Sequence, residues 1–225
     1  MAFNNYQRDI SILFICKKDN EYAQRASAWL RSHFNKVEIF EGRRSDKLPD
    51  SVLNWKGDLL ISFISPWVYP PTLLSAASLA AINFHPGSPD YPGTGCTNFA
   101  VYEEAISYGI TCHHMDARVD AGSIIAVKDF PLKPEDSVLG VTEHCYHLIE
   151  TCFYEVMGAL QQGGTLPVSD RKWTRKPFTR KQLNDLCRIT PDMSETEIAK
   201  RIKATTYKHP WAYTMIGNHK FVLQA

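Results

Sequence analysis

The residues Ile10 to Cys16 read ISILFIC, an unbroken and largely β-branched apolar run bounded by charged residues, and they predict a strand buried on both faces. From Glu21 to Phe34 the apolar positions fall at Tyr22, Ala26, Trp29, Leu30 and Phe34, which is helical spacing. Short apolar runs at Lys36 to Phe40, Leu59 to Ile64 and Leu79 to Phe84 predict three more strands. Between the last two, Pro71 to Ala77 reads as a short helix with its proline at the start, where a missing N–H matters least. This alternation implies an α/β fold with a mostly parallel sheet and right-handed crossovers.

Further on, Asn98 to Tyr108 is expected as a helix capped near Thr97 or Asn98 and stopped by Gly109. Ile110 to Met115 and Ser123 to Phe130 follow as strands. Ser137 to Leu160 carries a long apolar stripe from Val138 through Cys145, Cys152 and Phe153 to Leu160, and predicts a long helix ending at Gly163-Gly164. After that point the character changes, which divides the chain into residues 1–165 and 166–225. The second part opens with a basic run and continues with a helix announced by the Ser194-x-x-Glu197 capping pattern. It closes in two short strands around Gly217-Asn218, a hairpin that needs a partner surface because an isolated hairpin is marginal in water.

With 225 residues, 44% of them hydrophobic, the chain can bury a full core. Its apolar runs are far too short to span a bilayer and the opening MAFNNYQRD has no apolar stretch, so the expected address is cytoplasmic. Six cysteines without a CxxC pair point to reduced thiols, and no metal is expected. His144 and His147, three apart within the long apolar stripe, read as packing residues. A net charge of +1 exerts no general pull on nucleic acid, although Arg171, Lys172, Arg175, Lys176, Arg180 and Lys181 crowd together. No GxGxxG or Walker loop follows the first strand.

The candidate chemistry lies between Ile82 and Gly122. Asn83 and His85 are two apart at the end of a predicted strand and so project to one side, beyond strand ends where open α/β sheets bind ligands. Asp120, in a glycine-bounded loop between the next two strands, can return a carboxylate to the same crevice. An amide donor for an oxyanion, a titratable ring and a carboxylate suit acyl transfer to an amine without a covalent nucleophile. Of His113 and His114, alternation sends one toward the site and the other into packing.

The stretches INFHPGSPDYPGTG and GITCHHMDARVDAGSII resemble the formyltransferases that use N10-formyltetrahydrofolate, over roughly residues 10 to 165. The resemblance implies a Rossmann-like formyltransferase fold with Asn83, His85 and Asp120 as catalytic residues and no metal. It also implies a pterin slot read by two loops, with Ser65, Pro66, Trp67 and Val68 from one and Asp116, Val119 and Gly122 from the other.

The length left after the catalytic part argues against a methionyl-tRNA type, HPG rather than HPS against a glycinamide ribonucleotide type, and the lack of a regulatory domain against a formyltetrahydrofolate hydrolase. The closest likeness, through HPGSPDYPG and the terminal HPWAYTMIGNHKF, is to the sugar N-formyltransferases. That implies a nucleotide-linked amino sugar as acceptor, dTDP-4-amino-4,6-dideoxyglucose being the nearest, for O-antigen or other surface polysaccharide synthesis. Pro86, Gly87, Tyr91 and Gly93 would then floor the amino sugar, with Lys172, Arg175 and Lys176 on the pyrophosphate and Trp173 on the base, and the hairpin would join two copies. The basic run read alone is equally a solvated linker.

Overall fold

The computed structural model describes residues 9–224; the opening segment 1–8 lies outside them. One mixed sheet organises the chain. In order along the sequence come β1 (Ser11–Lys17), α1 (Glu21–His33), β2 (Lys36–Gly42), α2 (Asp50–Leu53), β3 (Gly57–Phe63), α3 (Pro71–Leu74) and β4 (Ala77–His85). They are followed by α4 (Cys96–Tyr102), β5 (Ser107–His114), β6 (Ile124–Pro131) and α5 (Val138–Gln161). The sheet order is β2-β1-β3-β4-β5-β6, parallel from β2 to β4 and antiparallel where β5 and β6 join.

Residues of β1 alternate between two buried faces. Ile12, Phe14 and Cys16 enter the larger core beneath α1, α4 and α5, while Leu13 and Ile15 pack with Val52, Trp55 and Leu73 on the other. That double burial is why the run shows no polar alternation. Phe153 of α5 sits against Phe14, Phe63 and Phe84 at ring-centroid distances of 5.9, 5.4 and 5.5 Å, which fixes the long helix across β1, β3 and β4.

The remaining chain forms α6 (Arg180–Cys187), α7 (Glu195–Ala204) and a hairpin of β7 (Tyr213–Ile216) and β8 (His219–Val222), turning at Gly217 with φ of +56°. Ser194 caps α7 by accepting from the Glu197 N–H, as its sequence pattern predicts. Two expectations shift. The helix expected over Asn98 to Tyr108 runs over Cys96–Tyr102 instead, because Glu104 takes a left-handed φ of +54° and the chain is already extended at Ser107. Gly109 is no stop signal: a Cβ there would strike the Lys128 carbonyl across the β5–β6 ladder. The basic run is not simply a linker, since its end begins α6, where Thr179 and Gln182 form a reciprocal capping box. All six cysteines are buried and unbonded. Among the described residues no helix is long and apolar enough to cross a membrane.

Candidate functional site

Phe84 is drawn into the core, so Asn83, of opposite parity, turns to the other face of β4. In the antiparallel pairing of β4 with β5, Asn83 stands opposite His113 and Ile82 opposite His114. That register decides between the two histidines: His113 shares the face of Asn83, and its Nε2 lies 3.1 Å from the Asn83 amide nitrogen. The Nδ1–H of His113 is spent on the His114 carbonyl at 2.8 Å.

Asp120 joins the group from the β5–β6 connection, in the left-handed region at φ of +42°. Its carboxylate stands 3.4 Å from His85 Nδ1 and 3.3 Å from His113 Nε2, and accepts the Gly93 N–H at 2.8 Å. Burial opposes its ionisation, but the two histidines and the Gly93 amide hold its pKa well below the usual carboxylate range. Burial likewise opposes charge on His85. Asp120, with smaller contributions from Cys96 and the Tyr91 carbonyl, outweighs that and raises the ring to about 9. The Asp120 carboxylate thus favours the protonated form of His85. Its Nε2 faces the Tyr91 carbonyl at 3.4 Å.

The loops around this group explain its glycines. A Cβ on Gly122 would overlap the His114 carbonyl, and one on Gly93, at φ of +91°, would run into the backbone of Phe178. A Cβ on Gly87 would strike the His85 ring. None of Pro86, Gly87, Tyr91 and Gly93 lines the large cleft beside this group. Tyr91 is buried, with its hydroxyl donating to Glu103, while the Pro86 carbonyl accepts from Tyr108 at 3.0 Å and the Gly87 carbonyl from Thr111 at 2.7 Å. Sequence reading had no letter for the parts these residues play, because a carbonyl and an amide are common to every residue.

Two hollows meet at Asp120. The smaller, about 60 Å³, is lined by Ser62, Trp67, Val68, Leu74, Asn83, His113, Met115 and Val119 among others. Of the residues the resemblance assigns to a pterin slot, Trp67, Val68, Asp116 and Val119 line this hollow, one end of which is built of Asn83, His113 and Asp120. Trp67 is held by donating its indole N–H to the Asp46 carbonyl at 2.8 Å. Ser65 lies just behind, accepting from the Tyr69 hydroxyl, and the segment is entered through Ile64 at a strained φ of +52°. Gly122 belongs to the second hollow. That cleft, about 1090 Å³, runs from Arg118 to Ile124 and along Ser169 to Pro177.

Trp173 stands at the junction, its indole N–H on the Gly122 carbonyl at 2.8 Å and its ring 5.0 Å from that of His113 and 6.2 Å from that of His85. Arg175 is already engaged, paired with Glu103 at 2.9 Å and lying over Tyr91 and Phe178. Lys172 and Lys176 line the cleft without an ion pair among the described residues. Lys176 stands there with Lys172 as the sequence led one to expect, and Arg118 joins them with no pattern to announce it. His144 packs on Phe130 with ring centroids 4.2 Å apart, and among the described residues no group of three or more His, Cys, Asp or Glu side chains is placed to hold a metal.

The chain belongs to the formyl transferase family, whose model matches residues 12–157. The family's formyl donor is N10-formyltetrahydrofolate. Among solved structures, the chain is similar to a 4-N formyltransferase from Francisella tularensis (18% identity over 96% of this chain and 97% of that one, TM-score 0.74). A sugar N-formyltransferase from a Shewanella species is similar at 17% identity over 96% and 97%, TM-score 0.72. An N-formyltransferase from Helicobacter canadensis in complex with folinic acid and dTDP-3-aminofucose matches at 17% identity over 93% and 85%, TM-score 0.70. At these identities the likeness is one of fold, and it is the Rossmann-like formyltransferase fold.

Proposed function

We propose that this chain transfers the formyl group of N10-formyltetrahydrofolate to the amine of a nucleotide-linked amino sugar, with Asn83, His85 and Asp120 as its catalytic residues. The observation that carries the reading is the convergence of His85 and His113 on the Asp120 carboxylate, with Asn83 beside His113, where a narrow slot and a large cleft meet. The donor supplies an activated formyl carbon. Its flat ring system suits the walls of Trp67, Val68, Leu74, Met115 and Val119, with the main chain of residues 65–69 and 116–122 at its polar edge. The slot is narrow, so entry parts the side chains at its mouth, where Val68 is 72% exposed.

The roles follow from the chemistry. Asn83 has two amide hydrogens; one can serve His113 and the other the oxygen of the formyl group as negative charge develops on it. The charged His85 adds a positive field at the same place. Asp120 keeps His85 charged and holds the water that relays the proton: as the amine bonds to the formyl carbon and the bond from that carbon to N10 breaks, the proton shed by the amine passes through this water to N10 of the departing tetrahydrofolate. The acceptor lies in the large cleft, its diphosphate toward Lys172 and Lys176 and its base toward Trp173. Arg175 serves there only if it exchanges Glu103 for phosphate. A dTDP-linked 4-amino-4,6-dideoxyglucose is the preferred acceptor, with surface polysaccharide as the destination.

We further propose that two copies pair through the hairpin. Ile216, Phe221, Val222 and Leu223 are 64, 54, 50 and 41% exposed, beside an apolar hollow of about 330 Å³ walled by Ile189, Ile198 and Ile202. The test of function is a panel of nucleotide-linked amino sugars incubated with the folate donor, followed by mass spectrometry. A gain of one formyl group on an amino sugar is expected; formate as the only product would make the chain a hydrolase and overturn the reading.

A further inference from the structure

Arg180 and Lys181, the end of the basic run, take no part in the site described above. Arg180 opens α6 and faces a separate hollow of about 260 Å³, lined also by Arg44, Leu183, Asn184, Cys187, Trp211, Tyr213 and Lys220. Three distant segments therefore bring two guanidinium groups and an ammonium to one concavity: the loop after β2, the first residue of α6, and β8. This hollow shares no lining residue with the cleft assigned to the acceptor.

The neighbouring cations are neutralised and these are not. Arg43 pairs with Asp19, and Lys181 with Asp185 at 2.6 Å, whereas Arg44, Arg180 and Lys220 make no ion pair among the described residues. Residues 1–8 carry no acidic side chain that could supply one. Partial burial and the charge of Arg44 both lower the pKa of Arg180, so the cluster repels itself as it stands. Lys220 lies over the Tyr213 ring at 4.0 Å, and Trp211 presents an indole that is 42% exposed at the rim. The hairpin borders both hollows, with Tyr213 common to them: Lys220 lines the basic one, while Phe221 and Val222 line the apolar one.

We propose that this hollow is a second anion site that takes the phosphate groups of a nucleotide, with Arg44 and Arg180 as forked donors, Lys220 as a point charge and Trp211 beside the base. Guanidinium forks match phosphate oxygens in pairs, and an indole face accepts any base by stacking. The volume lies below the range of about 300–1,000 Å³ usual for a whole small-molecule site, so the hollow holds the phosphates and leaves the base at its rim. A nucleotide is favoured over an acidic peptide because aromatic rings flank the cations.

The test is calorimetric titration of the full chain with inorganic pyrophosphate and with UDP, repeated on Lys172→Ala to separate the acceptor cleft. Saturable binding of both is expected, UDP the tighter. In Lys172→Ala, where the acceptor cleft is weakened, one saturable pyrophosphate site remains; added to that variant, Arg44→Gln with Arg180→Gln weakens both ligands at least tenfold, and Lys220→Gln acts in the same direction from a different element. Trp211→Ala removes the advantage of UDP and keeps pyrophosphate. No saturable binding to the unmodified chain would overturn the proposal. So would pyrophosphate binding that disappears in Lys172→Ala and survives in the arginine double variant, or triglutamate binding as tightly as pyrophosphate.

Discussion

Asn83 and His85 are conspicuous in the sequence because two residues apart on a strand means one side of it, and Asp120 because glycine bounds its loop. Less legible was what holds them. The Gly93 N–H on Asp120 and the Tyr91 carbonyl by His85 are backbone groups, and the Arg175–Glu103 pair joins positions 72 apart that no local pattern links. Replacing Asn83 by Ala should slow transfer by about a hundred- to a thousandfold, the usual effect of losing an oxyanion donor, with little change in thermal midpoint. A variant that loses its fold instead of its rate would make Asn83 a structural residue.

The charge on His85 gives a pH prediction. Transfer should hold through neutral pH and decline as the ring loses its proton near 9. In Asp120→Asn the decline should move to lower pH, because the chief group favouring the charged ring is gone; an unmoved limb would separate the two residues. Stability follows the same proton. A raised folded-state pKa stabilises fully below 6.5, the ordinary value, and that contribution fades as pH rises through about 9. Unfolding midpoints measured between those limits should therefore fall less in His85→Gln than in the parent chain.

At the scale of elements, long apolar periodicity was read well and short polar signals poorly. β1, α1 and α5 emerged with bounds close to those observed, since each buries an unbroken stripe. The helix α6 was missed inside a charge run, although Thr179 and Gln182 already spelled its start. Removing that cap in Thr179→Ala should cost about 0.5–2 kcal/mol, measurable by denaturant unfolding. Leu183 of α6 packs against Gly95, so the loosened helix should also disturb the loop before α4. Gly122→Ala should be more damaging to activity than its size suggests, because the loop that returns Asp120 to His85 cannot keep its path past the His114 carbonyl.

For the whole molecule, the order of elements announced a mostly parallel sheet, but the antiparallel joining of β4, β5 and β6 depends on pairings that no single segment encodes. The segment after Gly164 looked separable by composition. It folds back over the first part, where Phe178 stacks on Phe99 with ring centroids 3.8 Å apart and Trp173 meets His113. A charge placed on the hairpin's apolar face, Phe221→Glu, should yield a monomer in sedimentation where the parent chain is a dimer; a parent chain that sediments as a monomer would refute the pairing.

The most direct measurement of the central claim is a double-mutant cycle on formyl transfer with Asn83→Ala, His85→Ala and the two combined. Groups acting on one carbonyl are strongly non-additive, so the double variant should be about as slow as the slower single one. Rate losses that simply multiply, or a single variant that transfers at the parental rate, would contradict it.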